Sequence, residues 1–189
     1  MIKVLGINCS PRKGGNTEIL IREVFKPLEE NGIKTEFFQI GGRKIRGCIA
    51  CMKCRKEGDG RCHQKNDVIN ECLAKMVKAD AIIIGSPVYF ADITGDAKAF
   101  IDVAGYALGG AGNPLKRKPG AAVIAARRAG AINALDSINH FFLINEMIIP
   151  GSSYWNIALG REKGDVLKDE EGIKTMKVQG ENLAWLLRK

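Results

Sequence analysis

No apolar run in the 189 residues approaches the roughly 18–20 that a membrane-spanning helix needs. The first strand-like segment begins at Ile2, leaving no room for the charged and apolar regions of a signal peptide. A cytoplasmic protein with no membrane partner is therefore expected. Histidine is scarce, with two residues, and no Ser-His-Asp or paired-carboxylate arrangement is apparent. That scarcity speaks against a dedicated acid–base pair. Internal repeats, low-complexity tracts and nucleic-acid-binding motifs are missing as well, so no nucleic-acid partner is expected.

What is present is a basic chain of ordinary composition. Lys and Arg number 29 against 21 Asp and Glu, giving a formal charge of +8 and a pI near 9.2. Such a surface favours anionic partners: nucleic acid, a phosphorylated cofactor or an acidic electron carrier. The basic residues are spread along the chain, which matches a solvated surface. The length suits one domain, residues 1–189.

Strand-like and helix-like segments alternate from end to end. Apolar runs at Lys3–Ile7, Thr35–Ile40, Ala81–Ile84 and Ala121–Ala126 predict four strands. A fifth strand region is expected over Met147–Ile149 with Ser153–Ile157. Helices are expected over about 18–30, with Asn16 or Thr17 as cap and Pro27 kinking or shortening the last turn, and from a cap near Asp67. Three more are expected over 94–106, 132–146 and 169–188. This alternation implies an α/β, doubly wound, five-stranded parallel sheet of flavodoxin-like order 2-1-3-4-5. Residues 41–66 break the rhythm as a cysteine-rich insertion after strand 2, too long for the usual ~2–6-residue connection. Ligands of such sheets bind beyond the carboxyl ends of the strands. The loops after Ile7, Ile84 and Ala126 are thereby brought together.

The first of these loops, Asn8–Thr17, runs from a strand into a helix start, where free N–H groups and the helix dipole favour an anion. Ser10, Arg12, Gly15, Asn16 and Thr17 are the expected phosphate contacts. The triphosphate loop and the dinucleotide fingerprint both fail on glycine and lysine spacing, which leaves a monophosphate. Ser10-Pro11-Arg12-Lys13-Gly14-Gly15-Asn16-Thr17 resembles the phosphate loop of the NADPH-dependent FMN reductase family, and Gly85-Ser86-Pro87-Val88-Tyr89-Phe90 resembles that family's loop after the third strand. The resemblance implies FMN as cofactor, with Pro87, Val88, Tyr89 and Phe90 bordering its ring. It also implies that the third loop, through Arg127, Arg128 and Gly130, meets the pyrimidine side. The family's frequent Gly-Gly pair is replaced there by Ala129-Gly130.

Cys48-x2-Cys51-x2-Cys54-x7-Cys62 is the second signal. Three thiolates at two-residue gaps with a distant fourth suit a 4Fe–4S cluster. Zinc fits the spacing poorly, and free thiols or a transient disulfide remain open. Placed before the third strand, the motif resembles the iron–sulfur flavoproteins of anaerobic archaea and bacteria. That resemblance implies an FMN- and cluster-dependent oxidoreductase fed by NAD(P)H or by a protein such as ferredoxin, assembled as a homodimer or homotetramer. A cluster-free NAD(P)H-dependent FMN or quinone reductase is the first alternative, and a metal- or redox-sensing binding protein the second. Cys9 and Cys72 are expected to be buried core thiols, His63 a surface or supporting residue, and His140 has no assigned chemistry.

Overall fold

In the computed structural model, residues 1–65 and 67–189 are described. Strands β1 (Lys3–Asn8), β2 (Lys34–Gln39), β3 (Ala81–Pro87), β4 (Gly120–Ala126) and β5 (Ile157–Leu159) form one all-parallel sheet. Its order, β2-β1-β3-β4-β5, is the doubly wound order expected from the alternation. The six helices are α1 (Asn16–Glu30), α2 (Lys53–Glu57), α3 (Asp67–Lys78), α4 (Gly95–Gly110), α5 (Ala131–Ile144) and α6 (Glu170–Leu187).

The central strands are buried on both faces, so β3 and β4 are continuous apolar runs with no alternation of polarity. Alternate side chains nevertheless serve different layers. Val4, Ile83 and Val123 pack with Leu20, Val24, Met176 and Leu183 of α1 and α6. Leu5, Ile7, Ile82 and Ile84 face the opposite layer, with Cys72, Phe100 and Phe142 of α3, α4 and α5. At Gly6 and Gly85 a Cβ would stand within 2.7 Å of Ile21, so both glycines let α1 lie close over the sheet. This seats the start of α1 against the carboxyl ends of β1 and β3.

Several expectations are corrected. The N-cap of α1 is Gly15, with no side-chain cap, and Asn16 is already helical. Pro27 sits inside α1 and neither ends nor shortens it; the helix runs to Glu30 and stops at Asn31-Gly32, with Gly32 at φ +73°. The proline is buried against α6, where Gly180 lacks the Cβ that would otherwise lie 2.3 Å from the Val24 carbonyl oxygen. Gly180→Ala is therefore expected to force the two helices apart and cost about 1–3 kcal/mol, read from the urea midpoint of the apoprotein. The fifth strand is shorter than expected. Ile148 makes one bridge to Pro119, but Ser152 and Ser153 bond Thr175 of α6, which draws their segment away from the sheet until Ile157. Residue Asn66, the expected end of the insertion, lies outside the described residues, as does the side chain of Asp67, the expected cap. Among the described residues no helix is long and apolar enough to cross a membrane.

Candidate functional site

A cavity of about 420 Å³ opens at the carboxyl edge of the sheet. Ser10, Arg12, Gly15, Asn16 and Thr17 line one end, and Pro87, Val88, Tyr89 and Arg127 line the other. Nine of the twelve expected residues are thus brought to one cavity, while Phe90, Arg128 and Gly130 are not.

The phosphate-loop end is held rigidly from below. Asn8 accepts from the Ser10 N–H at 3.1 Å, and its amide donates to Gln39 at 2.8 Å. Gln39 in turn donates to the carbonyls of Ser10 and Gly41, both at 2.7 Å. A Cβ on Gly41 would meet the Cys9 and Ser10 backbone at 2.4 Å, so only glycine lets the end of β2 press against this loop. The buried Ser10 hydroxyl accepts from the Arg12 N–H at 3.2 Å and keeps its own proton for a ligand.

The Thr17 hydroxyl is buried and has no hydrogen-bond partner. Beside it are the first N–H groups of α1, which by construction lack intrahelical acceptors. An unpartnered buried donor next to a helix N-terminus fits a bound phosphate. Asn16 plays a different part from the one expected of its side chain. Its amide bridges the Glu162 carbonyl at 2.9 Å and the Gly164 N–H at 2.8 Å, so what it offers the cavity is backbone.

That bridge exposes a wall absent from the sequence reading. Gly160, Arg161, Glu162 and Lys163, after β5, complete the cavity, and Lys163 Nζ reaches the Lys13 carbonyl at 3.5 Å. Together with Arg12 they give this end net positive charge. The available signal was position: the segment follows the last strand and so emerges at the same sheet edge.

Glu18 organises the loop from within the helix. Partial burial raises its pKa, but hydrogen bonds from Arg22 and the Gly14 N–H outweigh this and hold the carboxyl below its usual range. A depressed folded-state pKa means that its contribution is full above the unfolded glutamate value and fades as pH falls through the folded one. Glu18→Gln is expected to cost about 1 kcal/mol at neutral pH. In urea titrations of both forms the gap should close in acid; a pH-independent gap would reject the charge-based role.

At the ring end, Tyr89 and Asp92 exchange backbone hydrogen bonds at 2.8 and 3.1 Å across a tight turn. Its two central residues, Phe90 and Ala91, are both left-handed, at φ +47° and +64°. Phe90 is thereby thrown outward and fully exposed, away from the ring position the resemblance implied. Gly130, at φ +82°, seats this turn: a Cβ there would lie 2.5 Å from Ala91 Cα. Arg128 is exposed.

The cysteine arm forms the second site. Cys48, Cys51, Cys54 and Cys62 border one small recess against Val103, Tyr106 and Ala107 of α4. Helix α2 carries Cys54 and lies close on α4, because a Cβ on Gly110 would stand 2.9 Å from the Cys54 carbonyl. Arg55 covers Tyr106 with its guanidinium 5.5 Å from the ring centre. Asn70 holds Cys62 by both backbone groups, accepting from its N–H at 2.8 Å and donating to its carbonyl at 2.9 Å. His63 pairs with Asp59 at 3.2 Å and borders the recess. Burial, with the neighbouring cysteines as like charges, raises the Cys54 thiol against the opposing hydrogen bond from Arg55.

None of the four cysteines is in a disulfide, and their thiol chemistry suits iron or zinc. Among the described residues no three His, Cys, Asp or Glu side chains close in on a single ion. A lone zinc would need thiolates about 3.8 Å apart, given Zn–S bonds of about 2.3 Å. A cluster fills its own centre and holds thiolates farther apart, and Cys48 and Cys51 lie on an irregular segment, residues 44–52. Cys9 and Cys72 are fully buried, and burial pushes both thiols far above their usual range, consistent with core packing.

Residues 2–162 match the model of a family described as NADPH-dependent FMN reductase. The chain is 36% identical to an iron-sulfur flavoprotein of Methanocaldococcus jannaschii, over 99% of this chain and 98% of the relative. A second iron-sulfur flavoprotein of that organism is 33% identical over 93% and 92%. Among solved structures, a flavodoxin, WrbA-like protein from Agrobacterium tumefaciens superposes with a TM-score of 0.70 at 15% identity, covering 100% of this chain and 98% of that one. The last likeness establishes the flavodoxin-like fold.

Proposed function

This chain belongs to the NADPH-dependent FMN reductase family, and from that premise we propose an electron-transfer oxidoreductase carrying FMN at the sheet edge and a 4Fe–4S cluster on the cysteine arm. The observation that carries the flavin half is the unpartnered Thr17 hydroxyl at the start of α1, inside a cavity whose other end is Pro87, Val88 and Tyr89. The cluster half rests on four cysteines, none in a disulfide, that border one recess, and on the names of the relatives.

When bound, FMN supplies hydride and single-electron chemistry, and the cluster single-electron chemistry. The protein binds and tunes. Ser10, Thr17 and the backbone of α1 hold the phosphate, while Arg12 and Lys163 balance its charge. Tyr89 and Pro87 would border the flavin, and the positive charge of Arg127 in the same cavity would favour its reduction. Cys48, Cys51, Cys54 and Cys62 hold the cluster. Between residues 43 and 65 the sequence carries Arg43, Lys44, Arg46, Lys53, Arg55, Lys56, Arg61 and Lys65 beside Glu57 and Asp59. That charge suits an acidic redox protein such as a ferredoxin as donor, with NAD(P)H as the small-molecule alternative. A cytoplasmic homodimer or homotetramer completes the proposal.

Anaerobic purification with quantification of FMN, iron and acid-labile sulfide tests it. Near-stoichiometric FMN with about four irons per chain is expected. Flavin without iron would leave a cluster-free reductase, and zinc without flavin would overturn both halves.

A further inference from the structure

Away from both sites, a cavity of about 380 Å³ lies beside the short strand β5, with walls from α5 and α6. Its apolar lining comes from Leu135, Ile149, Pro150 and Trp155. Tyr154 and Trp155, both exposed, stand with ring centres 6.0 Å apart at its rim. No Lys, Arg, Asp or Glu lines it, in a chain that carries 50 such residues (29 basic and 21 acidic).

Two polar atoms at this cavity are left without partners. Gln179 is fully buried, and its Oε1 accepts from Asn156 Nδ2 at 2.8 Å. That leaves Gln179 Nε2 and Asn156 Oδ1, both buried, with nothing to bond. Turning both amides over exchanges the atoms but again leaves one donor beside one acceptor. A buried amide pair with one donor and one acceptor unused is the complement of another amide edge. One water could bond both groups, yet the cavity exceeds a water's volume of about 30 Å³ many times over, and most of its wall is apolar.

From this we infer that the cavity is a binding site for an uncharged planar heterocycle bearing a lactam or carboxamide edge. Its carbonyl accepts from Gln179, its N–H donates to Asn156, and its ring lies among Leu135, Pro150 and Trp155. The uncharged lining sets it apart from the cationic phosphate end of the sheet-edge cavity. Its size is at the small end of ligand pockets, suited to one or two fused rings.

The test is titration of the FMN-loaded, ¹⁵N-labelled full chain with uracil, the probe carrying the required edge, and with toluene as an apolar control. Saturable shifts of the Gln179 and Asn156 side-chain amides are expected, with toluene bound at least about tenfold more weakly. Gln179→Met should weaken uracil about tenfold and leave toluene unchanged. Trp155→Ala alters only an exposed wall, so it should fold normally and weaken both probes. Equal affinity for the two probes, or no saturable shift at these amides, would overturn the inference even if Gln179→Met did not fold. Undiminished uracil binding by a folded Gln179→Met would overturn it too.

Discussion

Cys54→Ala should reduce iron and acid-labile sulfide to a small fraction of the wild-type content while FMN stays near one per chain. Cys54 is the cysteine that α2 carries against α4. It sits on α2, its carbonyl is pressed against Gly110 of α4, and its thiol feels Cys48, Cys51 and Cys62 as neighbours. A cluster bound by three remaining thiolates exposes one iron to solvent and is readily lost. The sheet-edge cavity proposed for FMN shares none of these residues, so its occupancy should not follow the iron. The measurement is iron, sulfide and FMN per chain after anaerobic purification. Full iron retention would remove Cys54 from the ligand set.

Thr17→Val should raise the dissociation constant for FMN by about 10–100-fold without lowering the stability of the apoprotein. Hydrogen bonds to a charged acceptor contribute about 1.5–3 kcal/mol, and the hydroxyl at this position has no other partner. Valine has nearly the same shape and removes a buried group that the apoprotein leaves unsatisfied. The two effects therefore run in opposite directions. Flavin fluorescence titration gives the first and thermal unfolding of the apoprotein the second. A loss of apoprotein stability together with unchanged FMN affinity would place Thr17 in the packing of α1 and not at the phosphate.

Much of this was legible in the chain order. The apolar runs at β1, β3 and β4, the helical segments between them, and the Ser, Gly and Asn loop before α1 are local patterns. Local patterns survive translation into structure because backbone periodicity and the free N–H groups of a helix start depend only on near neighbours. The cysteine spacing belongs to the same class: four thiols within fifteen residues lie on one connection, which needs only to bend on itself to gather them.

The errors arose where distant segments compete for the same groups. Asn16 has the chemistry of a cap or a phosphate ligand, but the loop after β5 supplies a carbonyl and an N–H that take its amide instead. Ser153 looks extended, yet α6 offers Thr175 as a partner to it and to Ser152, and β5 starts late. Phe90 directly follows Pro87–Tyr89, which line the sheet-edge cavity, but the Tyr89–Asp92 bonds reverse the chain and turn it outward.

The sequence by itself determined the parallel α/β alternation, the free N–H groups of the helix start after β1 and the placing of four cysteines on one connection, because each follows from residues close along the chain. Only the tertiary structure decided that Asn8, Gln39 and Gly41 brace the phosphate loop and that Lys163 closes it. The same holds for Asn70 pinning Cys62 and for Gln179 with Asn156 sharing an uncharged cavity. Those partners come from separate elements, and their meeting depends on how two layers of helices settle on one twisted sheet.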